Sequence, residues 1–416
     1  MKPFSLLIKP ASADCNLRCT YCFYRDRALL YPESSRHRMP PEVLEHMIRS
    51  YLATDQAQHV FGWQGGEPTL MGEDFFQAVT GLQQKYGRKG ACVANGLQTN
   101  ATLVTDAMAR HFARYRFLLG VSLDGPPAIH DRYRCGDGGA GSYEAVMRGV
   151  ECLRRHGVEF NILVLVSQAN VRRAREIYRF LTRSGFMFHQ YIPCVESAPD
   201  GSPLPYSING EEWGLFLCEL FDEWAGGDVR RVSIRLFDAI LSRFVEGRAT
   251  VCHMANDCRQ YFVVEHNGDV YPCDFFVERD LKLGNILADD WDALQASPVY
   301  EEFGRRKARW PAVCSACAWV GLCAGDCPKH RLPGKEAALS RLCAGWQRFY
   351  AHAVPRLRPL ADEIARERAA APARPRPNDL CSCGSGRKYK KCCGSAARNI
   401  RIPPGRKVVD VQSAFG

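Results

Sequence analysis

Short apolar runs alternate, through the first half of the chain, with longer segments in which apolar residues recur every three or four positions. Phe4–Lys9 is one such run, and after it comes a segment whose apolar face is Val43, Leu44, Met47, Ile48 and Tyr51. Recurrence at that spacing places these five on one side of a helix, whereas a brief run bounded by turn signals suits a strand. His59–Gln64 then precedes a helical segment at Asp74–Tyr86, and Ala91–Gln98 precedes Thr105–Arg114. Phe117–Leu123 precedes Tyr143–His156, Phe160–Val166 precedes Val171–Ser184, and Phe186–Ile192 is a sixth strand. Unbroken stretches such as Phe117-Leu118-Leu119-Gly120-Val121 fit parallel strands covered on both faces. Six strand–helix units predict an α/β fold, either an open (β/α)6 partial barrel or a doubly wound sheet, and periodicity leaves both open. In either, the loops at the carboxyl ends of the strands carry the site. Residues 209–247 read as helical, from Trp213, Phe216, Leu217, Leu220 and Phe221 to Leu236, Ile240 and Phe244, and Phe262–Asp274 reads as a hairpin turning at Asn267-Gly268.

Composition adds a cysteine problem. A chain of 416 residues with 46% apolar and 24% charged content can bury a large core in two or three domains. It has no run of about 18 apolar residues, and Met1-Lys2-Pro3-Phe4 opens no long signal-peptide segment, so a cytoplasmic protein is expected. Yet it holds twenty cysteines, fifteen of them in tight clusters. In a long chain in a reducing compartment that clustering indicates metal ligation, and iron–sulfur centres would imply anoxic conditions. Cys92, Cys135, Cys152, Cys194 and Cys218 stand apart in apolar or turn contexts and are read as ordinary thiols. Charge is uneven: of the net +10, residues 351–416 carry +9, from fourteen Lys/Arg against five Asp/Glu.

The first cluster, Cys15-x3-Cys19-x2-Cys22, follows the first strand. Three thiolates can hold three irons of a [4Fe–4S] cluster, and with the next cysteine at Cys92 the fourth iron keeps an open position. A zinc knuckle would want a fourth ligand close by. The spacing, with Tyr21, Phe23 and Tyr24 around it, resembles the radical SAM enzymes. That resemblance implies the partial barrel, and it implies S-adenosylmethionine chelating the free iron. It also implies cofactor contacts at Tyr21, at Gly65 and Gly66 in the Gly-Gly-Glu-Pro turn ending the second strand, and at Ser122 in Val-Ser-Leu-Asp-Gly ending the fourth. Arg134 would fork onto the methionine carboxylate, and Val195 would wall the adenine. The plain alternatives are a strand-end turn, a solvated arginine and a core valine.

The second cluster runs Cys252, Cys258, Cys273, Cys314, Cys317, Cys323, Cys327 and Cys343. Eight thiolates saturate two [4Fe–4S] clusters, and two zinc sites are the alternative. The spacing resembles the SPASM domain of peptide-modifying radical SAM enzymes, which implies one auxiliary cluster on Cys252, Cys258, Cys273 and Cys327 and another on Cys314, Cys317, Cys323 and Cys343. Along the first 350 residues the chain resembles the anaerobic sulfatase-maturating enzymes, whose Tyr-Pro-Cys-Asp-Phe-type segment implies a catalytic base at Asp274. The implied reaction splits S-adenosylmethionine to a 5′-deoxyadenosyl radical. That radical takes hydrogen from Cβ of a Cys or Ser in an unfolded sulfatase segment, Asp274 takes the side-chain proton, and an electron leaves through the auxiliary clusters to give Cα-formylglycine. A reductant such as flavodoxin or ferredoxin is implied. Another SPASM peptide modifier, forming thioethers or crosslinks, and a non-catalytic iron–sulfur carrier or adaptor are the competing readings.

The expected organisation is a barrel at 1–235, a SPASM domain at 236–350, a short helix and Pro/Arg/Ala linker at 351–377, a small motif at 378–396 and a basic tail at 397–416. Within the motif, Cys381, Cys383, Cys392 and Cys393 make a compact zinc site that resembles the SEC-C motif, which is not part of the usual maturase pattern. Its Arg387, Lys388, Lys390 and Lys391 offer a basic loop to a protein or nucleic-acid partner, or to solvent.

Overall fold

Each expected strand forms within two residues of its predicted bounds, and the order of pairing decides the architecture. The computed structural model describes residues 2–88, 91–331, 338–370, 378–381, 385–389 and 392. Strands β1 (Ser5–Lys9), β2 (Gln58–Trp63), β3 (Cys92–Thr99), β4 (Leu118–Ser122), β5 (Glu159–Val166) and β6 (Phe188–Pro193) pair strictly in chain order, all parallel. A doubly wound sheet reverses direction partway along. Unreversed order with right-handed crossovers keeps every helix on one face, which is the partial barrel.

The intervening helices, at Pro41–Leu52, Glu73–Tyr86, Asp106–Arg114, Tyr143–Arg155 and Ala174–Arg183, start where the sequence supplies reasons. Pro41 opens the first with its φ already helical, and Thr105 accepts from the Met108 amide to cap the third. Along β1, Leu6 and Ile8 enter the main core against the helices, while Leu7 joins a small cluster with Tyr24, Tyr261 and Val263. Alternation therefore sends every second residue, Lys9 included, toward the other face of the sheet.

Two features depart from the expected pattern. Residues 209–247 form two helices, Gly210–Ala225 and Arg235–Glu246, with β7 (Ser233–Ile234) between them pairing with β6. The predicted hairpin forms as β8 (Tyr261–Glu265) and β9 (Asp269–Tyr271), with Gly268 at φ +89° in the turn where a left-handed residue is required. However, β8 also lies parallel beside β1, from Ser5 opposite Tyr261 to Lys9 opposite Glu265. With β10 (Gly284–Asn285) on β9, the cysteine-rich half extends the barrel sheet to ten strands.

The helix expected to be short after residue 350 begins at Cys343 and runs to Ala370. It packs along the Gly210–Ala225 helix through small residues: a Cβ on Gly345 would stand 2.2 Å from the Gly210 carbonyl oxygen. No described helix is long and apolar enough to cross a membrane.

Candidate active site

The carboxyl ends of β1 to β6 open into one cavity. It is lined by Cys15, Cys19 and Cys22 on one side and by Cys252, Cys258, Cys273 and Cys327 on the other, with Asp274 among them. It encloses about 1770 Å³ including its solvent-facing mouth. Tyr21, Gly65, Gly66, Ser122, Arg134 and Val195 all line it too. They come from the ends of four strands, β1, β2, β4 and β6, and sequential pairing brings them to one rim.

Hydrogen bonds from three strand ends fix the first cysteine loop. Its Arg18 and Thr20 amides donate to the carbonyls of Cys135 and Tyr133 at 2.7 and 2.9 Å. Asn100, after β3, donates to Asn16 Oδ1 at 3.0 Å and lies 3.8 Å from Cys15 Sγ. Behind it, buried Glu67 accepts from the Asn100 amide, Thr99 and Thr69. Burial raises the Glu67 carboxyl above its ordinary value. It pushes the Cys15 thiol up to about 12, with Glu67 adding to the rise.

The Gly-Gly turn has a structural task besides any ligand. The Gly66 and Glu67 amides donate to the Ser12 and Asp14 carbonyls at 2.7 and 2.8 Å. A Cβ on Gly66 would lie 2.0 Å from the Asp14 oxygen, and Gly65 stands at φ +131°. A Gly66→Ala change must push apart the backbone that leads into Cys15. We expect it to cost about 1–3 kcal/mol, as overpacking does, read as a lower Tm and a lost site.

Arg134 is held before any ligand arrives. Its Nε donates to Asp124 Oδ2 at 3.0 Å, and its guanidinium lies over the Tyr21 ring at 5.4 Å. Asp124 also accepts from the Tyr21 hydroxyl and from the Leu165 amide. The two terminal nitrogens of Arg134 have no hydrogen-bond partner among the described residues, so a fork remains available in the cavity wall. His130, pulled down to about 4 by burial, accepts the Asp124 amide proton on Nδ1.

Asp274 directly follows Cys273 and ends up beside β1. Lys9 Nζ lies 3.8 Å from its Oδ2, Gln64 Nε2 donates to the same oxygen at 3.5 Å, and the Tyr261 hydroxyl donates to Oδ1 at 3.4 Å. Lys9 is 2% exposed and sits over the Tyr24 ring at 4.3 Å. Burial lowers its pKa, while Asp274 and Glu265 hold it up part of the way. Sequence reading missed Lys9, Gln64, Tyr261, Asp124 and Glu67. The available signal was a charged or amide side chain at the end of an otherwise apolar strand, as at Lys9 and Gln64.

The cavity sorts the second cysteine field. It is lined by Cys252, Cys258, Cys273 and Cys327 and by none of Cys314, Cys317, Cys323 and Cys343. Cys327 thus joins the trio distant from it in sequence. Burial pushes the Cys252, Cys258 and Cys327 thiols up to about 12, with neighbouring cysteines of the same set contributing. Ligand formation there must release protons. Four thiolates round a single zinc at about 2.3 Å would stand roughly 3.8 Å apart. Among the described residues, no three of these eleven sulfurs lie within 4.8 Å of one another. A [4Fe–4S] cluster takes its thiolates one to an iron, and three or four soft donors per set are the number it uses. The described group that is that close, Asp106, Cys152 and His156, already has Arg155 on its carboxylate.

In the tail, Cys381 is buried and Cys392 lies 3.0 Å from Ser385 Oγ. Cys383 and Cys393, with Lys390 and Lys391, lie outside the described residues.

The radical SAM superfamily matches residues 10–181, the SPASM iron–sulfur cluster-binding domain matches 252–318, and the SEC-C motif matches 378–395. A serine-type anaerobic sulfatase-maturating enzyme of Bacteroides thetaiotaomicron is 35% identical over 390 residues, 89% of this chain and 94% of that one. A cysteine-type enzyme of Clostridium perfringens is 37% identical over 369 residues, 88% of this chain and all of that one. The structure of native anSMEcpe with bound AdoMet and Cp18Cys peptide superposes with a TM-score of 0.81 at 36% identity, covering 87% of this chain and 100% of that one.

Proposed function

Because the chain belongs to the anaerobic sulfatase-maturating enzymes of the radical SAM superfamily, we propose that it is a radical SAM oxidoreductase converting a Cys or Ser of a sulfatase segment to Cα-formylglycine. The observation that carries this reading is the single cavity shared by the three-cysteine loop, the first cysteine quartet and Asp274. Cys15, Cys19 and Cys22 would hold a [4Fe–4S] cluster, and S-adenosylmethionine bound there would supply the 5′-deoxyadenosyl radical chemistry at Cβ, with clusters on the later cysteines as the sink for the remaining electron.

The chain's own residues position and exclude. Arg134, steadied by Asp124 and Tyr21, presents its terminal nitrogens to the methionine carboxylate. Gly65 and Gly66 bring backbone to the amino group, Ser122 meets the ribose and Val195 the adenine. Asp274 accepts the proton of the substrate thiol or hydroxyl at a carboxylate oxygen, steered by Lys9, Gln64 and Tyr261. Phe23, Phe275, Phe276 and Phe303 line the same cavity and keep water from the reacting side chain. Cys252, Cys258, Cys273 and Cys327 hold one auxiliary cluster, and Cys314, Cys317, Cys323 and Cys343 the other.

The test is anaerobic turnover of synthetic sulfatase-like peptides bearing Cys or Ser, read by mass spectrometry. Loss of two hydrogens from Ser, or exchange of the Cys thiol for an aldehyde, is expected. Unchanged peptides with all clusters filled would overturn the reading. Relatives of both substrate types are similarly near, so both peptides belong in the assay.

The reading also includes a flavodoxin- or ferredoxin-type reductant, a cytoplasmic setting and a closed zinc site at Cys381, Cys383, Cys392 and Cys393. Four soft thiolates are the donor set of structural zinc, and the basic loop beside them offers a surface to an acidic partner. Replacing Cys381 and Cys392 by serine is expected to remove one zinc per chain by metal analysis while iron content and peptide turnover stay unchanged.

A further inference from the structure

Lys307 is a buried cation without a carboxylate. It follows the Pro298–Arg306 helix with none of its surface exposed. Its ammonium donates to the His253 carbonyl at 3.1 Å and to the Ala324 carbonyl. Among the described residues no carboxylate comes within ion-pair distance of it. The neighbouring acid, Asp326, binds His330 Nδ1 at 2.9 Å and Ser340 Oγ at 2.6 Å through Oδ2 alone, and its buried Oδ1 has no hydrogen-bond partner among the described residues. Arg331, also buried, gives its guanidinium to the carbonyls of Gly325, Lys307, Arg306 and Arg309. This wall therefore carries two buried cations against one buried carboxylate.

A buried ammonium needs an opposing charge as well as hydrogen bonds, because carbonyl dipoles replace only part of its hydration. The missing anion has an address. Lys307 lines the cavity together with Cys252, Cys258, Cys273 and Cys327. The two carbonyls it grips directly follow Cys252 and Cys323, one cysteine from each quartet. Burial, helped by Arg331, pulls Lys307 below its ordinary value, while Cys258, Asp326 and Cys327 oppose the fall.

We propose that Lys307 is the counter-charge of the auxiliary cluster held by Cys252, Cys258, Cys273 and Cys327 and raises that cluster's reduction potential. This rests on the cluster assignment above. A centre carrying four thiolates is net negative, and each added electron makes it more so. A fixed positive charge in a low-dielectric wall stabilises the reduced form over the oxidised one. Lys307 would thereby make the cluster a better acceptor for the electron that formylglycine formation releases. It acts on the potential without touching the substrate.

The experiment is an EPR-monitored redox titration of the full chain, reconstituted with iron and sulfide. Cys15, Cys19 and Cys22 are replaced by alanine so that only the auxiliary clusters report. Lys307→Met and Lys307→Gln are expected to shift one of the two auxiliary midpoints downward by at least tenfold in the one-electron equilibrium, ~59 mV, with Lys307→Arg close to the parent. Neutral variants that keep their iron and the parent midpoints overturn the proposal. If the neutral variants lose iron while Lys307→Arg keeps it, the charge is required and the proposal stands; if Lys307→Arg loses it as well, the role is packing and the proposal falls. Iron and sulfide analysis of the parent comes first: failure to fill the auxiliary sites refutes the cluster assignment, and this proposal with it.

Discussion

Asp274→Asn is expected to slow formylglycine formation by roughly 10²–10⁴-fold, the range for loss of a positioned general base, while 5′-deoxyadenosine continues to form. The substitution keeps the shape of the side chain. It also keeps an oxygen for one of the bonds donated by Gln64 and Tyr261. What it removes is the capacity to take a proton and the charge facing Lys9. Arg134, Ser122 and the cysteine loop follow other strands, so nucleotide binding and cleavage are expected to continue without this carboxylate. One anaerobic assay reads both outcomes, peptide by mass spectrometry and nucleoside by chromatography. A variant that makes formylglycine at the parent rate would take the base assignment away, and a variant that makes neither product would point to a collapsed site instead.

A larger loss is expected from replacing Cys15, Cys19 and Cys22 together by alanine. Both 5′-deoxyadenosine and formylglycine should vanish, and iron should fall by about four atoms per chain, the content of one cubane. The eight other cluster cysteines come from the later part of the chain and should retain their iron. The loop is fastened by backbone donors at Arg18 and Thr20 and by Asn16, none of which the substitution touches, so the barrel should keep its Tm. Undiminished iron in this variant, or nucleoside still released, would refute the open-iron assignment on which the chemistry depends.

Much of this architecture is legible in the chain because it is written locally. The two faces of β1 follow from alternation, with Leu6 and Ile8 toward the helices. The hairpin at 261–271 follows from Asn267-Gly268, whose turn needs a positive φ that glycine adopts freely. Cys15, Cys19 and Cys22 are recognisable as a set since eight residues of loop are enough to converge three sulfurs. The residues that steer Asp274 were invisible for the opposite reason. Lys9 and Tyr261 sit on β1 and β8 and Gln64 just past β2, and nothing near any of them in sequence marks it as facing the same carboxylate. Asp124 is equally unmarked in the sequence, although its side chain ties Tyr21, Arg134 and Leu165 together.

The sequence by itself determined which segments become strands and helices, which cysteines travel together, and the class of chemistry they imply. Those signals repeat over a few residues, where the 2.0 and 3.6 periods and the reach of a short loop operate. Tertiary structure alone decided that β8 docks beside β1, that Cys327 lines one cavity with Cys252, Cys258 and Cys273, and that Lys9 meets Asp274. Each of these joins positions separated by tens to hundreds of residues of chain. Their encounter is selected by the summed burial of the sheet and core rather than by any local preference of the residues that meet.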